Sequence, residues 1–282
     1  MTTQSLFNNI SDLNISQLNS TVGVGIECND NNLVNLDTNG VFIVELNCDN
    51  NQIESLDLTS NSNLYSLYCE FNKIESLDLT ANTNLVNLGC GNNNISNLNL
   101  NGLNLLEDLG CNDNDLFNLD ISSLVSLTFI DCPNNNLNSL DVSNNTLLED
   151  LICNNNNLYS LDLKGLTELD ELSFIDNNLE EIDLSENTLL TWLECAGNNL
   201  RELDLTNHAL LDYLDCRNNN LERLNIKNGN NNVMLDEDFY AYINPNLTCI
   251  QVDNADYSTT NWTNIDGQTS FSELCDLSLS VF

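Results

Sequence analysis

Basic residues are nearly missing from this sequence: 6 Lys and Arg stand against 43 Asp and Glu, a formal net charge of −37. Nucleic acid and anionic lipid are bound through Lys and Arg that neutralise phosphate, so neither is an expected partner. A surface this negative suits surroundings in which salt or calcium screens its self-repulsion. No run of about 18 apolar residues occurs, so no membrane insertion is expected. The opening residues Met1-Thr2-Thr3-Gln4-Ser5 lack the basic start and apolar stretch of an export signal, and the expectation is a chain trimmed from a longer protein. Catalytic material is equally scarce. His208 is the single histidine, and no phosphate loop, nucleophile elbow, zinc spacing or complete calcium loop appears. Acids on neighbouring strands could form a glycosidase-like pair, but an open sheet face has no pocket to raise one carboxyl's pKa. The chain is not expected to be an enzyme.

What is there is repetition. Cysteine recurs at every twenty-first position, at Cys48, Cys69, Cys90, Cys111, Cys132 and Cys153, then at Cys195 and Cys216, with Phe174 on the missing rung. Cys28 precedes Cys48 by one position fewer, so the first repeat is one residue short. One unit runs from Leu64 through Leu67, Cys69, Asn72, Ile74, Leu77, Asp78 and Leu79 to Asn84, and ten such units begin near 23, 43, 64, 85, 106, 127, 148, 169, 190 and 211. Apolar residues make up 41% of the chain, enough for a substantial core. Leucines at the first, fourth and eleventh places of each unit point inward and stack on their equivalents in the next coil, burying apolar area at roughly 25 cal/mol per Å². The cysteines share such a column. Strands about 4.8 Å apart hold neighbouring sulfurs too far apart for a bond of about 2.05 Å, so the nine are read as reduced, buried thiols. Asparagine is unbroken at Asn31, Asn51, Asn72, Asn93, Asn114, Asn135, Asn156, Asn177, Asn198 and Asn219. Its amide both donates and accepts, which is what buried backbone groups require where the chain turns off a strand.

The half-unit L-x-x-L-x-C-x-x-N-x-L resembles the defining motif of leucine-rich repeats, with cysteine in place of the third leucine, and the second half, as in Ile74-x-x-Leu77-Asp78-Leu79-x-x-Asn82, repeats it. The resemblance covers roughly residues 10–230 and is to the bacterial type with a nested ten-plus-eleven unit. It implies a mainly β repeat solenoid, a right-handed coil with parallel strands or extended segments on one or both faces and shallow curvature, ten coils giving a rod of roughly 50 Å. We divide the chain into an N-terminal segment, 1–22, in which Ile10, Leu13 and Ile15 match the second half of a unit; a repeat region, 23–229; and a non-repeat cap, 230–282.

Within that frame His208 falls where other units carry Asn61, Asn82, Asn145 and Asn187, a turn position. Phe174 is an aromatic ring in a cysteine-sized slot and predicts a local bulge. Asp37, Asp57, Asp78, Asp120, Asp141, Asp162, Asp183 and Asp204 form an outward column interrupted by Asn99, read as a solvated face held by water and turn amides. Calcium bridging neighbouring carboxylates is the alternative, and no other cofactor is expected. The second, third and fifth places of each unit should point outward on the concave face. The candidate ligand-binding residues there are Tyr65, Tyr68, Phe129, Asp131, Asp150, Glu171, Trp192, Glu194, Tyr213 and Asp215. Trp192 and Tyr213 occupy one place in adjacent coils and are the strongest pair.

Past residue 230 Phe239, Tyr240, Tyr242, Tyr257, Trp262 and Phe271 supply the bulk of a cap, and residues 247–252 read as a strand. Cys249 and Cys275 lie outside the ladder, and a disulfide between them would close a loop of 26 residues, a stabilisation of roughly 3.5 kcal/mol. Such a bond belongs to an oxidising compartment. The segment Asn246–Cys275 is similar to the end of the repeat region in secreted surface proteins of Bacteroidetes-type bacteria, which implies export and cell-surface display, although the sequence stops at Phe282 without their sorting module. Three functions fit: a module for protein interaction or self-assembly, a carbohydrate-binding module with sugar rings on Trp192 and Tyr213, or a structural spacer.

Overall fold

The computed structural model describes residues 9–18 and 21–275; the opening residues Met1 to Ser5 and the last residue, Phe282, lie outside it. The chain packs as two compact units, residues 1–148 and 149–282, both built from the same coil. In the first, the strands Val24–Glu27, Ile43–Asn47, Ser66–Tyr68, Asn87–Gly89, Asp108–Gly110 and Phe129–Asp131 pair in parallel, each with the next. Register is one-to-one from coil to coil, as in Leu67 opposite Leu88. It shifts once, between Val24 and Gly25, in the repeat that is one residue short. On the other side Asp12–Asn14 pairs with Asn35–Asp37, placing Leu13 opposite Leu36 as the half-unit reading requires.

The second unit continues the pattern through Asp150–Ile152, Glu171–Ser173, Trp192–Glu194 and Tyr213–Asp215. Its opposite side carries Glu202–Asp204, Arg223–Asn225, Cys249–Gln251 and Ser270–Ser272, again all parallel. Strands thus stand on both faces of the coil. The coil also runs past residue 230. Phe239–Tyr240 pairs with Tyr213–Asp215, Ala241 is buried where the earlier coils carry cysteine, and Asn244 bonds like the ladder asparagines, its Nδ2 donating to the carbonyls of Cys216 and Ala241 at 3.1 and 3.0 Å. The helix Ala255–Asn261 follows, and Trp262 closes the end, its ring 4.4 Å from that of Phe239 and its Nε1 donating to the Met234 carbonyl.

The asparagine ladder explains the register. Asn93 Nδ2 donates to the carbonyls of Cys90 and Gly91 in its own turn, at 3.1 and 3.0 Å, and to that of Cys69 one coil back at 2.9 Å. Its Oδ1 accepts from the Ile74 amide at 2.9 Å, and the same offsets recur at Asn114, Asn135, Asn177, Asn198 and Asn219. Each side chain therefore ties two coils together as well as closing its own turn. The residue just before it has positive φ in coil after coil, at Asn50, Asn92, Asp113, Asn134, Asn155, Asp176 and Asn218. Asn and Asp tolerate that conformation best among residues with a side chain, and Gly197 takes it in one coil.

All nine ladder cysteines are buried thiols. Burial pushes Cys28, Cys90 and Cys153 up to about 12, which leaves almost no thiolate to react. The remaining two cysteines form the Cys249–Cys275 disulfide, with Cα atoms 5.9 Å apart. The bulge predicted at Phe174 is absent. Its strand keeps register with both neighbours, the Phe174 amide donates normally to the Glu194 carbonyl at 2.9 Å, and the ring is fully buried. Its rung neighbours are Cys153 and Cys195, small side chains that leave room for a ring which leucines would have displaced.

Candidate functional site

On the side of the aspartate column, the carboxylates cap turns. Asp57 Oδ1 accepts from the Thr59 amide at 3.0 Å and its hydroxyl at 2.6 Å; Asp78, Asp120, Asp141, Asp162, Asp183 and Asp204 each accept the amide two residues on. These bonds hold Asp57, Asp78, Asp120, Asp141 and Asp183 below the usual carboxylate range. His208 is 1% exposed and packed at the turn that Asn187 occupies one coil earlier. Burial lowers its pKa against the opposing pull of the Leu184 and Leu205 carbonyls.

The strand face carries the candidate residues. In the first unit Tyr65 and Tyr68 are exposed, Phe129 and Asp131 half-buried. They are not brought side by side: Tyr68 stands next to Gly89, Asp131 next to Gly110, and these two glycines are partners between them. Glu70 leans over that gap. A Cβ on Gly89 would come within 2.9 Å of Glu70 Oε1 and 3.0 Å of the Tyr68 ring. Asp131 is pushed up to about 6, first by burial and then by Glu70 and Asp113. Asp49, whose carboxylate accepts from the Glu70 amide at 2.6 Å, reaches about 6 mainly through burial.

The second unit assembles its residues into one row. Register places Asp150, Glu171, Trp192 and Tyr213 on successive strands. The rings of Trp192 and Tyr213 are parallel within 1°, centroids 3.6 Å apart, and Trp192 remains 36% exposed. Tyr240 follows, 6.2 Å from Tyr213 and tilted by 52°, and Tyr242 lies 6.5 Å further on. Arg217 is held among them, its guanidinium carbon 5.5 Å from the Tyr240 centroid and 5.7 Å from that of Tyr242. It donates to the Tyr242 hydroxyl at 2.8 Å, and its Nε lies 3.2 Å from Asp215 Oδ2. Asp215 therefore does not point to solvent as its place in the unit predicts: it is 2% exposed, drawn under Arg217 and bonded to the Arg217 amide. Glu194, half-buried, sits 2.8 Å from the Ser173 hydroxyl. Burial, reinforced by Glu194 and Asp215, pushes the Tyr213 phenol up to about 12. Asp150 rises to about 6, burial first and then Glu171, Asp170 and Glu149.

Sequence reasoning missed Arg217, Tyr240 and Tyr242 as site residues. The two tyrosines read as cap filler because the period breaks before them. The available signal was Phe239-Tyr240-Ala241, which repeats the Leu214-Asp215-Cys216 order of apolar, outward and small residues.

These raised carboxyls set a pH dependence. Asp49, Asp131 and Asp150 keep their protons up to about pH 6 when folded but release them at about 3.8 when unfolded, so the folded state binds more protons between those values and stability falls as pH rises through 6. The turn-capping aspartates act in reverse and lose their contribution as pH falls below their ordinary value. The melting temperature should accordingly be higher near pH 5 than near pH 8, and fall again near pH 3. A melting temperature that is highest near pH 8 would contradict the assignment.

A solenoid with this ladder and this 21-residue coil has the leucine-rich-repeat fold, with the spacing of the bacterial type, and folds of this class present extended surfaces for protein interaction. The chain is similar to the functional domain of InlJ from Listeria monocytogenes, described as including a cysteine ladder, at 30% identity over 89% of this chain and 64% of that one, with a TM-score of 0.71. It thus spans less than two thirds of that neighbour. The leucine-rich-repeat protein LIC12759 of Leptospira interrogans shares the fold at 19% identity, over 94% of this chain and 82% of that one, with a TM-score of 0.64. The leucine-rich-repeat domain of APL1B does so at 20% identity, over 84% and 67%, with a TM-score of 0.56. No protein-family profile and no curated protein matches the sequence. Among the described residues no helix is long and apolar enough to cross a membrane, and no group of three or more His, Cys, Asp and Glu is placed to hold a metal ion.

Proposed function

We propose that this chain is a non-enzymatic, extracellular protein-binding module whose contact surface is the strand face of residues 149–282, centred on Trp192 and Tyr213. The observation that carries this reading is the stacked pair itself. Trp and Tyr, with Arg, dominate binding energy at protein interfaces, and here two such rings are held rigidly against each other at the surface. Because Trp192 and Tyr213 spend their facing surfaces on each other, the pair offers a ligand one outer indole face bordered by carboxylates and not a platform of two rings side by side. Export is supported by the Cys249–Cys275 disulfide, which persists in oxidising compartments.

The test is the double substitution Trp192→Ala and Tyr213→Ala, screened beside the parent chain against extracellular protein and glycan arrays. Protein ligands should bind the variant on the order of 100-fold more weakly, with little change in melting temperature. Equal binding by both proteins, or ligands found only on the glycan array, would overturn the proposal. Loss of self-association alone would assign the face to assembly between copies.

A further inference from the structure

Resting on that reading, we infer that the acidic end of the aromatic row receives an arginine side chain from the protein partner, its guanidinium laid on the outer face of Trp192 and paired with Glu171 and Asp150. Because the two rings are parallel and in direct contact, the second face of Trp192 turns away from Tyr213, toward the strand that carries Glu171. Asp150 is next along the same row. That end combines an aromatic face with two carboxylates and has no cation of its own: among the described residues the ion pairs are Arg201 with Glu180, Arg217 with Asp215 and Arg223 with Glu202. Asp150 is raised first by burial and then by the negative charge of Glu171, Asp170 and Glu149, and an incoming positive charge would relieve that repulsion.

The same molecule shows what such a setting holds. At the far end of the row Arg217 lies over the rings of Tyr240 and Tyr242 while its Nε pairs with Asp215. Aromatic face, carboxylate and guanidinium form one unit there, and the Trp192 end repeats it with the guanidinium supplied from outside. A planar guanidinium fits this better than an ammonium, since it stacks flat on indole while its edge donates to carboxylates. Charge complementarity adds to the choice, for a chain with a net charge of −37 selects basic partners.

The probe is a short blocked peptide, Gly-Arg-Arg-Gly amide, titrated at physiological salt and followed by tryptophan emission. Trp262 is 2% exposed, so a solvent-side change belongs to Trp192, and Trp192→Phe supplies the blank. Saturable quenching is expected, weakened tenfold or more in the Glu171→Gln, Asp150→Asn variant and undiminished in Asp57→Asn, Asp78→Asn, which removes equal charge elsewhere. Circular dichroism melts establish that each variant is folded. Equal affinity in the two charge variants, or quenching no stronger with Arg than with Gly-Gln-Gln-Gly amide, overturns the inference. The proposed function fails separately, if the double alanine variant retains its protein ligands.

Discussion

Asn135→Leu should lower unfolding free energy by roughly 3–5 kcal/mol, seen as a fall in urea midpoint at unchanged slope. Asn135 Nδ2 donates to the carbonyls of Cys111, Cys132 and Pro133 at 3.0, 3.2 and 3.2 Å, and its Oδ1 accepts from the Leu116 amide at 3.0 Å. Leucine is close in size and apolar, and the site is 7% exposed, so burial of apolar surface is retained while backbone groups lose their partners. Each stranded group costs about 1–3 kcal/mol. A loss below about 1 kcal/mol would mean that water reaches these groups and that the ladder is not what binds coil to coil.

Phe174→Cys should destabilise the protein by about 2–4 kcal/mol even though it restores the repeat. The pattern of the other coils argues for gain, because cysteine is the ladder residue on both flanking rungs. Packing argues the opposite. The ring is fully buried with the register of its strand intact, so the surrounding side chains have already settled around it, and a thiol would leave a void that they cannot refill without moving the sheet. The sign of the change in thermal midpoint decides between the two, and an increase would show the ring to be strained in place.

Phe174 also shows where reading by repetition stops. Columns that recur, such as the leucines, thiols and asparagines, were legible because each position is fixed by identical neighbours on either side. A unique residue has no column, so its outcome depends on local volume, which spacing does not encode. The same holds for Asp215: alternation put it outward, but Arg217 two residues later folds back over it, a contact between side chains that no period contains. The pairing of Trp192 with Tyr213 was legible because they share a place in adjacent coils. Tyr240 and Tyr242 were not, since Cys216 and its counterpart Ala241 stand further apart than the repeat step, and the extra length hid a coil that the backbone nonetheless completes.

The offsets of the asparagine ladder bear on how such a chain changes length. At Asn72, Asn93, Asn114, Asn135, Asn177, Asn198 and Asn219 the side-chain amide bonds to the carbonyl 24 residues earlier and accepts from the amide 19 earlier, so duplication or loss of the gene segment for one whole coil among them leaves each surviving bond with an equivalent partner. Gain or loss of half a coil would set the Asn72 place against the Asn82 place and the Cys69 place against Leu79, which breaks the thiol column and both ladder offsets. Array length is thus free to drift in whole steps during evolution, while the row of rings near one end is carried along unaltered.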